Sequence, residues 1–341
     1  MSSVGAGQDD LSKIKSLTKL ILDASVPAYA LFPEIKALSE IFSHLAVYQK
    51  QQDIAVEETA TERGLAVSPT MAAMCVEDYA RTIVFMRGLY AAIESVQTTS
   101  RPVQVLYIGC GPYATLALPI MCVLSSQRVQ FTLLDIHQQS IRSVQSVTEQ
   151  LGVTDRIRSM ETVDAGDYQV DSDLPPDIVL MEIMQVCLMK EPQVAISRHI
   201  MAQVPDALLL PHKIQIDLIA IDAKKELLLQ TDTEGNTNYD RQRQPIGMVF
   251  ELSSQSIHDW SFSEQKILPA SGLQIPKDLT EGYEVLLFTH IQVFAEHVLG
   301  EYDSGLSCPQ GLPTTAQVRP GDQLQFSYRL GNDPGLRVEI L

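Results

Sequence analysis

The sequence predicts an α/β protein: a parallel, doubly wound sheet, preceded by a helical extension and followed by an antiparallel β unit in the form of a barrel or sandwich. Three observations predict it. Between residues 101 and 180, short apolar strands alternate with helical segments, and that alternation builds parallel sheets with right-handed crossovers. Before residue 65 the apolar residues recur at helical spacing. After Pro211 they recur with period two.

The 341 residues exceed what one compact core usually serves and suit two or three units. They divide as a helical extension over 1–67, an α/β unit over 68–212 and a β unit over 213–341. A hydrophobic share of 45% and a charged share of 20% are ordinary for a globular protein. No apolar run reaches the length of a membrane span, and the first ten residues lack the basic and apolar regions of a signal peptide, so a cytoplasmic protein without membrane association is expected. The five cysteines are scattered with no C-x-x-C pair. They read as reduced thiols, with neither a metal site nor a disulfide framework. A net charge of −17 argues against nucleic acid as a partner and mildly for a cationic substrate.

In the extension, Leu11, Ile14, Leu17, Leu20 and Ile21 share one helical face, and Ile35, Leu38, Ile41 and Leu45 repeat the spacing after Pro33. This unit either packs on the next one or joins two subunits into a homodimer. Ser68 and Pro69 suit the N-cap and first position of a second helical run reaching about Val96. Within it Asp78 and Arg81 are three apart and share a face, which by itself describes a surface ion pair as well as a site.

The α/β unit follows. Val103–Ile108 reads as a buried strand ending at Gly109-Cys110-Gly111, and Ala114–Val123 as a helix. Val129–Leu134 is a second strand ending at Asp135, Gln138–Leu151 a helix, Ile157–Met160 a short strand before Asp164, and Ile178–Met181 a fourth strand. Glycines at a strand-to-helix turn let a ligand approach the backbone, and an acid ending the next strand can accept the hydroxyls of a ribose. The full G-x-G-x-x-G of dinucleotide folds and the phosphate-loop lysine are both missing. An adenosine-type ligand is the expectation, against a bare turn.

After the fourth strand comes Glu182, and nine positions later Glu191. A carboxylate at the C-terminal end of a strand in an open α/β sheet points into the crevice where such sheets bind ligands. A second carboxylate returned by the loop makes a two-pronged anion suited to a planar guanidinium, whose donors form a matching fork. The alternative is two solvated glutamates beside an ordinary loop. Beyond Pro211, Lys213–Ile221, Val285–Phe294 and Leu324–Tyr328 alternate with period two. Turn signals at Glu234-Gly235-Asn236 and Pro320-Gly321-Asp322 punctuate them, and residues 223–246 read as a long loop or arm.

Over residues 68–341 the sequence resembles the protein arginine methyltransferases. The family's double-glutamate loop resembles Glu182-Ile183-Met184-Gln185 through Glu191, and its Thr-His-Trp loop resembles Thr289-His290-Ile291. Its Asp-x-x-Arg-Thr helix is matched by Asp78 to Thr82, and its motif I by Val105 to Gly111. The resemblance implies a Rossmann-like sheet unit binding S-adenosyl-L-methionine (SAM) and a C-terminal β-barrel. It implies that Arg81 holds the methionine carboxylate, that Gly109 and Gly111 let the cofactor lie close, and that Asp135 and Asp164 bind ribose and adenine. Glu182 and Glu191 would grip the guanidinium, Cys75 and Met184 would border the substrate pocket, and Asp78 with His290 would relay the proton lost on methylation.

The chain departs from the family where a tyrosine-rich segment normally covers the cofactor: residues 54–70 hold no aromatic. Tyr113 replaces a motif I glycine, Ile291 the tryptophan, and Cys75 the usual methionine. A lid remade by the N-terminal unit would enclose a small molecule, so free L-arginine or another small guanidine is the expected acceptor. Peptidyl arginine, an unrelated small molecule, and a SAM-binding scaffold without catalysis are the alternatives.

Overall fold

The structure is a computed structural model, and it describes residues 3–98, 100–231, 237–260 and 265–341. Helices α1 (Ser3–Leu22) and α2 (Phe32–Leu45) form at the predicted spacing. Their apolar faces bury Ile14, Ile21, Ile35, Leu38 and Phe42 completely or nearly so. Residues 59–66 depart from the helical expectation. They form a tight hairpin of β1 (Thr59–Thr61) and β2 (Gly64–Ala66). Gly64 takes a φ of +145°, a conformation open to glycine, and an added Cβ would lie 2.7 Å from the carbonyl oxygen of Lys190.

The run from Ser68 to Val96 also divides. Ser68 caps α3 (Pro69–Met74), its Oγ accepting from the Met71 N–H at 3.1 Å. A 3₁₀ turn at Cys75–Glu77 then ends at Asp78 (ψ 85°), whose side chain caps α4 (Tyr79–Val96). Asp78 is thus a helix cap, and no Asp78–Arg81 surface ion pair forms.

Strands β3 (Val103–Ile108), β4 (Val129–Asp135), β5 (Ile157–Thr162), β6 (Ile178–Met181) and β7 (Leu208–Leu210) form one parallel sheet in the order β5-β4-β3-β6-β7. Strands β3 and β6 are buried along their whole length, as expected where helices cover both faces. The chain reverses its winding between β3 and β6, and at such a switch point the carboxyl ends of the strands open a crevice. Between the strands run α5 (Leu118–Val123), α6 (Gln138–Leu151) and, after β6, α7 (Gln193–Met201). Helix α5 begins four residues later than the apolar pattern suggests, because Ala114 takes a φ of 44° and residues 111–117 turn instead.

The C-terminal unit consists of two antiparallel sheets. In the larger, β11 (Arg243–Ser253), β8 (Lys213–Ile221), β13 (Glu284–Phe294) and β14 (His297–Leu299) lie side by side, with β15 (Gln310–Gly311) pairing on β13. The smaller holds β12 (Ile267–Gln274), β16 (Gln323–Arg329) and β17 (Gly335–Ile340). The described strands do not close into a barrel; of the two forms expected, paired sheets are what forms. Between β8 and β11 a short hairpin, β9 (Leu229–Thr231) with β10 (Thr237–Tyr239), occupies the predicted arm. The turn predicted at 234–236 lies outside the described residues. His258, Asp259 and Trp260 end α8 (Ser254–Trp260), and Trp260 stacks on Phe250 at 5.2 Å. One contiguous apolar core runs from Ile14 through the parallel sheet to Leu336. Among the described residues no helix is long and apolar enough to cross a membrane.

Candidate active site

A cavity of about 360 Å³ opens at the carboxyl ends of β3, β4 and β6. The turn after β3 supplies Gly109 and Gly111, both at left-handed φ (69° and 64°) that favour glycine. A Cβ on Gly109 would lie 2.3 Å from Ile183 Cγ2, and one on Gly111 3.2 Å from Ala72 Cβ. Asp135 ends β4, and its buried carboxylate accepts from the N–H groups of Gly111 and His137, each at 2.8 Å. Those bonds hold the carboxylate at the cavity wall. Asp164 also lines the cavity; its Oδ1 accepts from the Gly166 N–H at 2.8 Å, and Arg63 lies 3.4 Å from its other oxygen.

Glu182 follows β6 and Glu191 precedes α7, and both carboxylates line this same cavity. Between these two glutamates Cys187, Leu188 and Lys190 all take positive φ (56°, 54° and 64°), costly for residues with a Cβ. Outside contacts hold them there. Thr289 Oγ1 accepts from the Cys187 N–H at 3.1 Å, Tyr328 OH donates to the Leu188 carbonyl at 2.6 Å, and the Lys190 N–H donates to the Pro334 carbonyl at 3.0 Å. All three partners belong to the C-terminal unit. The Lys190 carbonyl in turn accepts from the Leu65 N–H at 2.8 Å, which ties the β1–β2 hairpin to the loop.

Arg81, in the first turn of α4, forms an ion pair with Glu182 inside the cavity. The second oxygen of Glu182 is buried without a hydrogen-bond partner, as is Ser140 Oγ in the first turn of α6, whose side chain also lines the cavity. Unpaired buried polar atoms are rare and costly, so two of them facing one cavity suit a polar ligand. Glu191 is only 7% exposed. Burial pushes its pKa up to about 7, against the pull of Arg81 and a hydrogen bond from Gln185, while nearby Glu58 adds to the rise.

The structure brings Gly109, Gly111, Asp135, Asp164, Glu182, Glu191, Arg81, Cys75 and Met184 to one cavity. It does not join Asp78 to His290. Asp78 Oδ2 accepts from Ser304 Oγ at 2.6 Å, while its Oδ1 accepts from the Arg81 N–H at 3.3 Å. His290 Nε2 instead lies 3.3 Å from Asp217 Oδ2, and that contact raises the histidine pKa. The reason lies in the sheet register. His290 pairs with Gln215 across β13 and β8, so Asp217, two residues on, presents its carboxylate on the same face. The slot beside Asp78 goes to Ser304, which caps a 3₁₀ turn on the far side of β14.

Sequence reasoning missed Glu58, Ser140, His137 and Ser304. Ser140 carried a usable signal, since it lies in the first turn of the helix that follows Asp135. Glu58 and Ser304 come from segments whose positions depend on tertiary contacts.

The doubly wound parallel sheet, the cavity at its switch point and the appended antiparallel sheets together make up a fold shared with solved arginine methyltransferase structures. The chain matches the Trypanosoma brucei PRMT1 enzyme–prozyme heterotetrameric complex with AdoHcy at a TM-score of 0.51 and 12% identity, covering 79% of this chain and 92% of that one. It matches a crystal structure of PRMT6 at a TM-score of 0.52 and 10% identity, over 79% of this chain and 98% of that one. No family model matches the sequence, and no curated protein does either. At such identities the likeness is one of fold.

Proposed function

We propose that the protein transfers a methyl group from SAM to a guanidino nitrogen of a small acceptor, either free L-arginine or another small guanidine. One observation carries this reading: Glu182 and Glu191 line a single cavity together with the glycine turn and Asp135, and an internal guanidinium, that of Arg81, already pairs with Glu182. The clamp thus has a charge opposite to that of the planar cation it is proposed to hold, and it already accepts one such cation. The fold shared with the PRMT structures, one of them a complex with AdoHcy, supports the choice of methyl donor.

When bound, SAM supplies an electrophilic methyl on a sulfonium. The residues of this chain must then hold a nitrogen in line with it, which accounts for much of the rate in such displacements. The new N–C bond forms as the C–S bond breaks, with the electron pair passing to sulfur. A protonated guanidinium is a poor nucleophile, so two carboxylates gripping two of its nitrogens draw the positive charge from the third. The attacking nitrogen finally sheds a proton. Glu191, buried beside the attacking nitrogen in this reading, is the carboxylate proposed to receive it. Asp78 supports the site differently, by capping the helix that carries Arg81.

The preference for a small acceptor rests on the β1–β2 hairpin. It crosses the cavity and is fastened on both sides: Thr59 Oγ1 lies 3.1 Å from His137 Nε2, and the Leu65 N–H bonds to Lys190. This hairpin lines the cavity with Thr61 and Ala66 and would narrow the room for a peptide.

Labelled SAM incubated with the protein and with L-arginine, a panel of small guanidines or an arginine-rich peptide tests the proposal. Label should appear on a low-molecular-mass product. Glu182→Gln and Glu191→Gln should each cut turnover by about a hundredfold or more while leaving SAM affinity within about twofold of the parent. Transfer to the peptide alone would replace the small acceptor with a protein. Binding of SAM without transfer to any of these acceptors would make the protein a scaffold.

A further inference from the structure

The cavity carries far more negative charge than a guanidinium clamp requires. Among the described residues, its lining holds the carboxylates of Glu58, Asp135, Asp164, Glu182 and Glu191, against the single guanidinium of Arg81. Asp135 and Asp164 have backbone donors of their own, and Glu182 has Arg81. Among the described residues Glu58 has no ion-pair partner. It stands at the start of the hairpin, exposed to solvent at the cavity mouth, and acts electrostatically on Glu191 in the interior. The orphaned oxygen of Glu182, buried at the inner end, marks where a donor belongs. The acidic lining therefore runs from a dry clamp to a wet rim.

The cations tell the complementary story. Arg81 is held by Glu182. His137 has both ring nitrogens engaged, Nδ1 near Asp135 at 3.4 Å and Nε2 at Thr59. Arg63 is engaged by Asp164 and Asp167. Among the described residues lining the cavity, no cation other than Arg81 and His137 stands ready to receive a carboxylate on the acceptor.

We propose that the acceptor is a dication without a carboxylate: an aminoalkylguanidine whose guanidinium enters the Glu182–Glu191 clamp and whose ammonium ends at Glu58. The inference rests on the guanidine-methylating reading and narrows it, ranking a decarboxylated acceptor above zwitterionic L-arginine. Glu58 is then a specificity residue at the rim.

Four acceptors of similar length separate the charges: aminobutylguanidine, arginine methyl ester, L-arginine and butylguanidine. With the full-length protein and labelled SAM, kcat/KM should be highest for the first two. L-Arginine should fall on the order of tenfold below them, since a like charge meets the rim. Glu58→Gln should lower kcat/KM for aminobutylguanidine about fivefold relative to butylguanidine, the scale of one exposed ion pair. Butylguanidine serves as the internal reference because it lacks the ammonium, so the ratio of the two acceptors isolates the rim contact, and an unchanged melting temperature would show that the variant folds. L-Arginine exceeding aminobutylguanidine, or Glu58→Gln affecting both amino-bearing and plain guanidines alike, would overturn the dication while leaving guanidine methylation standing. Absence of transfer to all four would overturn both.

Discussion

Glu191 carries its carboxyl group into a nearly dry corner, and in the proposed clamp this makes protonation part of acceptor binding. Its pKa is raised to about 7 in the free protein, chiefly by burial. A guanidinium favours the charged carboxylate, so binding pulls the pKa down again. The sign follows: above pH 7 the clamp is already ionised and affinity is flat, while below it a proton must leave for each cation bound. KM for a guanidine acceptor should therefore rise about tenfold per pH unit on the acid side. Glu191→Gln should abolish that slope in a direct titration of acceptor binding. A KM that stays level through the acid range would mean that Glu191 is not in the clamp. His290 belongs to another account: its raised pKa comes from Asp217, and the charge stays within the β unit.

At the scale of elements, the loop from Glu182 to Glu191 is positioned by parts remote in sequence. Three non-glycine residues at positive φ cannot persist on local preference, and strands of the C-terminal unit restrain them. Tyr328 is the clearest case, because its hydroxyl reaches the Leu188 carbonyl 140 residues away in a fully buried setting. Tyr328→Phe leaves the ring packing and removes one buried hydrogen bond, at a cost of about 1–2 kcal/mol. The expected result is a lower acceptor kcat/KM with SAM affinity unchanged, together with a lower melting temperature. Equal loss of SAM and acceptor binding would point to general unfolding instead. The elements themselves were legible wherever a period was clean. The strands 103–108 and 178–181 and the helix 138–151 form with the bounds read from the pattern. The hairpin at 59–66 was not legible, because its short polar strands gain their place from Lys190 and His137.

Across the whole molecule, the helical extension shares the core of the parallel sheet. Ile14, Ile21, Leu38 and Phe42 belong to the same cluster as the buried strands. The Arg87 side chain binds the carbonyls of Ile21, Asp23 and Val26 at 2.7–2.8 Å, securing the end of α1 against α4. A chain beginning at residue 46 would expose the apolar faces of α4, α5 and α6. It should be less soluble and melt at a markedly lower temperature, read by circular dichroism and light scattering. Unchanged melting would show the extension to be an appendage.

Composition, strand spacing and the order of short motifs determined by themselves the class of fold, the glycine turn, the acid that ends the second strand and the pair of glutamates. Those features are local: periodicity records which side of an element is buried, and a strand end in such a sheet has one place to point. Tertiary structure alone decided which side chains meet across those ends. It gave Asp78 to Ser304, His290 to Asp217 and Arg81 to Glu182, and it brought Glu58 to the rim of the cavity. Such pairings depend on sheet register and on loops held by distant backbone, and neither leaves a mark in the spacing of residues along the chain.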